Sequence, residues 1–302
     1  MKCCDAFLNY YCCKHRKSAE CILSYNCNAA LYYKQRIGVA WKTLLGICFI
    51  FPVLIAFFFS FLPNEKLLGL PSLNTFFEYF TFENYKWVFA NIPILKYVTN
   101  SLQMCFIVIL AQSITACLAA YAFAFFKFKG KDTLFQIILI AMMVPGEVCT
   151  ICNFLTVRDM GLVNTMMGLT IVSLISCNSI FMMRQSYLSL PSEMREATMM
   201  DGCGEIRYML QFAIPLSIPT IASLAITSFI SVFNAYLWPL LVSRSPEHYT
   251  VQIGMALLVD HEVPTYGRQL AGAVLCMIIP IIFFVIFQSY MVKGLTKGAV
   301  KG

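Results

Sequence analysis

Six stretches of the chain stay apolar for about 20 residues, the length a helix needs to cross ~30 Å of hydrocarbon. They cover residues 39–62, 98–126, 134–155, 165–183, 212–242 and 270–291. Backbone amides in lipid have to be satisfied within the segment, so the pattern predicts an all-α membrane protein with six transmembrane helices. Basic residues on alternate sides of these spans are unequal: 16 precede the first span or stand in its opening turn (Lys42), flank the second-to-third and fourth-to-fifth connections or follow the last, against 6 on the other side. The positive-inside rule then places both termini in the cytoplasm. The expected organisation is a Cys-rich cytoplasmic tail over 1–36, a six-helix membrane domain over 37–292 with a cytoplasmic loop at 184–211, and a cytoplasmic tail over 293–302.

Two connections exceed simple turns. Residues 63–97, on the external side, are rich in aromatics (Phe76, Phe77, Tyr79, Phe80, Phe82, Tyr85, Trp87). They predict either a helix packed at the interface or an aromatic belt. In the cytoplasmic loop, Pro191-Ser192-Glu193 opens a helix with an acidic residue in its first turn. Met194, Ala197, Thr198 and Met200 are expected to form its apolar edge, and Asp201-Gly202 to stop it. A second helix then starts near Gly204 and runs to Pro215. Helix, turn and helix across the membrane surface make a knob that transmits force if seated in a soluble partner, or a connector that rests on lipid headgroups.

Composition sharpens the picture. Of 302 residues 59% are hydrophobic and 12% charged, with 26 Phe and 16 Met, and the mean hydropathy is +0.73. Soluble domains carry about 25% charge, so a soluble enzyme and a disordered chain are both excluded. The formal charge of +7 reports orientation, and no nucleic-acid partner is expected. Of 14 cysteines, Cys3, Cys4, Cys12, Cys13, Cys21 and Cys27 crowd the N-terminal region without a paired framework, and no metal site is expected there. The remaining eight read as small buried hydrophobes scattered singly. No cleavable signal peptide opens the chain. Nor is there a phosphate-binding glycine loop, a dinucleotide fingerprint or a zinc-protease helix, so no bound cofactor and no enzymatic activity are expected.

Residues 191–219 resemble the loop of binding-protein-dependent ABC importer permeases known as the EAA loop. Glu196, Ala197, Asp201, Gly202, Pro215 and Pro219 fall on its pattern, while Thr198, Cys203 and Ile214 replace the usual Ala, Ala and Leu. Further stretches resemble the carbohydrate branch, in particular the smaller permease of maltose-, multiple-sugar- and glycerol-phosphate-type importers. They are ENYKWVF (83–89), TNSL (99–102), MMVPGEV (142–148), GLVNT (161–165), FNAYLWPLLV (233–242), TVQIGMALL (250–258) and KGLTKGAVKG (293–302). The resemblance spans about 34–302 and implies a type I importer permease (MetI-like) fold in a bacterial plasma (inner) membrane. It also implies a second related permease, two ATPase subunits that carry ATP and Mg, an extracytoplasmic solute-binding protein and a sugar substrate. Coupling to the ATPase would rest on Glu196, Ala197, Asp201 and Gly202, with Arg195, Glu205 and Arg207 as flanking ion pairs.

Polar residues inside spans mark a path or tie helices together. Glu147, after Pro145-Gly146 in the third span, is the sharpest path candidate, followed by Gln112, Asn153, Asn178 and Asn234. Tyr236 and Trp238 are candidates for stacking on a sugar ring or for interfacial anchoring. His248, Asp260, His261 and Glu262 fit no metal spacing, and their loop reads as a docking surface for the binding protein. The rival readings are an ion-gradient-driven secondary transporter and a permease of the same family for a non-sugar solute.

Overall fold

The computed structural model describes residues 18–67, 73–259 and 265–299, with side chains given for 38–67, 76–259 and 265–288. Every element among them is helical. The principal helices are α1 (Ser18–Phe59), α2 (Ile94–Phe125), α3 (Lys131–Met142), α4 (Thr150–Asp159), α5 (Cys177–Leu188), α6 (Ser192–Met200), α7 (Ile218–Phe233), α8 (Leu237–Val242), α9 (Val251–Ala256) and α10 (Tyr266–Ala299). The chain divides into two compact units, 1–58 and 59–302. In the first unit α1 runs unbroken through residue 37, so no helix boundary separates the expected tail from the first span. Residues 1–17, with Cys3, Cys4, Cys12 and Cys13, lie outside the described residues.

In the second unit α2 is central, with α5 and α7 packed on it and α10 on α7. Ala116 and Ala120 on α2 are buried against Ile180 and Met183 of α5. Small residues let helix backbones approach closely where lipid offers no hydrophobic drive. Farther toward the start of α2, Met104, Cys105 and Val108 meet Phe229, Val232 and Phe233 of α7. Phe283 of α10 stacks on Phe229 at 3.9 Å. Outward-facing positions stay apolar, as at Leu95, Phe106 and Leu118, which suits a lipid or protein surrounding.

The spans are less regular than the apolar runs predict. Gly38–Phe59, Ile94–Phe125 and Tyr266–Gln288 are each long and apolar enough to cross a membrane. The other three runs are bent pairs. The third turns by 90° between Met142 and Gly146, the fourth by 49° between Ser173 and Cys177, and the fifth by 70° at Ser217. Pro145 and Pro219 account for two of these breaks, because proline cannot continue the hydrogen-bond ladder. The fifth run therefore begins its long helix at Ile218, not at 212. It stops at Phe233, and residues 234–236 separate it from α8.

The external segment packs on α10 through the helix Glu83–Asn91. Buried Asn84 donates to the Ser60 and Leu62 carbonyls at 2.9 and 2.8 Å. Arg268 lies 4.1 Å over the Trp87 ring, so this is a packed helix and not a loose aromatic belt. Burial pushes the Tyr85 phenol up, opposed by its hydrogen bond with Ser60. Two of the quoted motifs turn out to be clamps on the loop after α8. Asn100 of TNSL donates to the Glu247 and Tyr249 carbonyls at 2.8 and 2.9 Å, and Ser101 accepts from the Val251 amide at 2.9 Å. Asn164 of GLVNT adopts φ 62, a region Asn tolerates, and its Oδ1 accepts from the Arg244 and Ser245 amides at 2.9 and 3.0 Å. Asp260, His261 and Glu262 lie outside the described residues.

Candidate functional site

Helix α6 ends at Met200, and Gly202 follows with φ 77. In that left-handed region a Cβ is disfavoured, which is why glycine stands there. The second arm runs over Glu205–Tyr208, a π-helical stretch Met209–Ala213 and Ile214–Leu216, as the sequence predicts. The apolar edge of α6 differs from the expected one. Met194 and Met199 pack against the core formed by Tyr187, Tyr208 and Met209, whereas Ala197 and Met200 face outward. The outer surface thus combines Glu196, Ala197, Met200, Asp201 and Gly202 with Ile206, Arg207 and Leu210 of the second arm. Met200 is 88% exposed and Ile206 72%.

Arg195 and Glu205 were expected among the flanking ion pairs. They form an ion pair with each other across the turn, both of them partly buried. The Tyr121 hydroxyl, near the end of α2, donates to Glu205 Oε2 at 2.6 Å, and the Arg195 guanidinium sits 5.2 Å from the Phe125 ring centre. The pair therefore braces the two arms against α2. Arg207 stays exposed and donates to Gln211 Oε1 at 3.0 Å. Tyr121 and Phe125 escape a reading of the loop alone, because nothing in their own stretch marks them as partners of residues so distant in sequence.

A polar cleft of about 300 Å³ lies where the fourth run breaks. Gln112, Ser173, Ser176, Asn178, Thr227 and Ser231 line it. Gln112 of α2 donates to the Ser173 carbonyl at 2.7 Å and accepts from the Ser228 hydroxyl at 2.6 Å. It thereby ties the break to α7. Other path candidates lie apart: among the described residues no hydrogen bond joins Glu147 or Asn153 to Asn178, Asn234 or Tyr236. Glu147 is exposed in the bend after α3, and Asn153 is half-buried on α4. Asn234 caps the end of α7, and Tyr236 is exposed before α8. Trp238 is an anchor, its indole N–H donating to the Leu169 carbonyl at 3.1 Å. Of the other late cysteines, Cys105, Cys117 and Cys276 are buried as expected, but Cys48, Cys149 and Cys152 are exposed. The described residues contain no cluster able to hold a metal ion.

The family described as binding-protein-dependent transport system inner membrane component matches residues 112–298, from the cleft through the loop to α10. The chain belongs to this permease family. It is 30% identical over 272 residues to the arabinooligosaccharides transport system permease protein AraQ of Halalkalibacterium halodurans, covering 87% of this permease and 97% of that one. The AraQ protein of Bacillus subtilis is 31% identical, over 86% and 93% of the two chains. The sn-glycerol-3-phosphate transport system permease protein UgpE of Agrobacterium fabrum is 31% identical over 69% and 74%. Among solved structures, a bacterial ABC transporter involved in the import of the acidic polysaccharide alginate superposes with a TM-score of 0.69. At 22% identity, with 91% of this permease and 99% of that chain covered, the likeness establishes the fold.

Proposed function

We propose that this permease forms half of the path of an ATP-driven carbohydrate importer in a bacterial plasma membrane. Its partners are a second related permease, two ATPase subunits holding ATP and Mg, and an extracytoplasmic binding protein. The observation that carries the reading is the braced loop with its exposed apolar tip, in a chain whose relatives include two arabinooligosaccharide permeases. Seating Met200 and Ile206 in an ATPase cleft would remove apolar surface worth about 1.5–3 kcal/mol per side chain. Contacts from Glu196, Ala197, Asp201 and Gly202 would then set the register, with Arg207 at the rim. The three bent pairs each complete one crossing, giving six spans with both termini inside, as the basic-residue count supports.

For the substrate path, the cleft with Gln112, Asn178, Thr227 and Ser231 offers donors and acceptors suited to neutral hydroxyls, without a fixed charge. Glu147, Asn234 and Tyr236 lie at breaks between helices and Asn153 on α4, and they serve as further contacts. Glu147→Gln is expected to change the KM or the range of sugars taken up, with membrane insertion unaffected. Uptake kinetics identical to the parent would assign Glu147 to structure.

The assembly itself is tested by mild-detergent purification of the tagged full chain from native membranes, with mass spectrometry of what accompanies it. A second multi-span permease and an ATPase are expected. A chain that arrives alone or as a homodimer, and transport that persists without ATP, would favour an ion-driven carrier. Uptake of glycerol phosphate in preference to sugars would transfer the assignment to the phosphorylated polyols carried by the UgpE-type relatives.

A further inference from the structure

The fourth run breaks deep in the bilayer. From the end that leads into the 191–216 loop, the 12 residues of α5 rise about 18 Å to the bend between Ser173 and Cys177. On the neighbouring helices Gln112 stands about 20 Å from the loop-side end of α2, and Ser228 about 15 Å from the start of α7. All three levels fall near the middle of ~30 Å of hydrocarbon. Non-helical backbone at that depth persists only where protein or a water-filled cavity satisfies it.

Gln112 meets that demand with both ends of one amide. Its Nε2 donates to the Ser173 carbonyl at 2.7 Å, and its Oε1 accepts from the Ser228 hydroxyl at 2.6 Å. A carbonyl only accepts, so the amide has one orientation here. Ser228, 9% exposed, is diverted to make its bond. Thr227 and Ser223 on the same helix return their hydroxyls to the carbonyls four residues back, at 2.9 and 3.0 Å, as such residues commonly do in helices. The two bonds fix the spacing between two polar banks of the cleft. One bank is Ser176 and Asn178, directly after the break, where the Ser176 hydroxyl caps α5 at the Ser179 amide. The other is Thr227 and Ser231 on α7, on either side of Ser228. Among the described residues no ionisable side chain lines the cleft.

We propose that Gln112 is a positioning residue for the transported sugar: it holds the broken backbone of the fourth run against α7, so that both banks meet the same neutral sugar. With one donor and one acceptor spent on the bundle, it acts through the spacing of Ser176, Asn178, Thr227 and Ser231. A Leu in its place would satisfy neither partner. An ionised carboxylate would accept from Ser228 but would have no proton to give the Ser173 carbonyl, whereas a protonated carboxyl would restore both bonds. Sugar as the occupant rests on the function proposed above; the tie itself does not.

Two readouts test the proposal on the full chain with its native partners in lipid vesicles. Hydrogen exchange reports the tie without any substrate: amides over 174–180 should exchange faster in Gln112→Leu than in the parent. Uptake of labelled arabinose and glucose oligosaccharides reports the spacing. Gln112→Leu should raise KM about tenfold, for two lost hydrogen bonds, with Vmax falling less. Ser228→Ala should raise KM by a smaller factor, and the double variant no further than Gln112→Leu, because both changes cut one tie. Gln112→Glu should approach the parent KM as the pH is lowered and its carboxyl takes up a proton, a response that a general loss of stability would not give. Unchanged exchange in Gln112→Leu would overturn the tie. Faster exchange with an unchanged KM, KM effects that multiply in the double variant, or Gln112→Glu equally impaired at the lowest pH would overturn the positioning role. A parent that takes up none of these sugars, while exchange responds as expected, would remove sugar as the occupant and leave the tie standing.

Discussion

Gly202→Asp is expected to reduce uptake to background while the chain still inserts and still assembles in the membrane. Two effects act at this position. The φ of 77 costs a side-chain-bearing residue about 1–2 kcal/mol. Because a Cβ built there meets nothing within 4 Å, there is no internal clash to unfold the protein. The second effect is external: the tip has to approach the ATPase closely, and an added carboxylate beside Asp201 keeps it away. Gly202→Asn separates charge from bulk. Asn and Asp both accept the left-handed conformation and are alike in size, so recovered transport in that variant would identify the added charge as what keeps the tip away. Failure of both variants, with ATPase no longer stimulated by substrate, identifies close approach. Full transport by Gly202→Asp would remove the coupling role from this loop.

Gly168→Ala should be the most destabilising single methyl in the described chain. A Cβ there would sit 2.1 Å from the Leu162 carbonyl oxygen and 3.3 Å from Val242. The obstacle is backbone, fixed by the Thr165 hydroxyl that caps the Gly168 amide at 3.0 Å and by the Asn164 amide bonded to the Val242 carbonyl at 2.8 Å. Overpacking where nothing can yield costs about 3 kcal/mol or more. The turn over GLVNT should detach from the start of α8, and the detergent-solubilised chain should melt at a clearly lower temperature. An unchanged melting temperature would show that this turn moves freely in solution.

The apolar runs made the helical class and the positions of the long helices legible, because lipid forces backbone pairing inside each segment. They did not reveal the bend at Ser217, since hydropathy is averaged over a window while a break depends on one residue and its neighbours; the break in the third run was legible only from Pro145-Gly146. The knob itself was readable from Asp201-Gly202 and Pro215. Its inward side was not. Which of Met194, Ala197, Met199 and Met200 packs inward depends on Tyr187 and Tyr208, whose contribution is tertiary. Likewise the linear pattern of charges offered Arg195 and Glu205 as ion-pairing residues without showing what they rest on. The structure gives it an internal partner in Tyr121, with the hydroxyl supplied by another helix.

That brace has a consequence for anyone building chimeras. A graft of residues 191–216 onto a different permease would carry Arg195 and Glu205 but leave behind the hydroxyl and the ring on which they rest. The transplanted arms would then meet an unmatched seat at the end of α2. A functional exchange has to move Tyr121 and Phe125 together with the loop, so the smallest portable unit here is discontinuous in sequence.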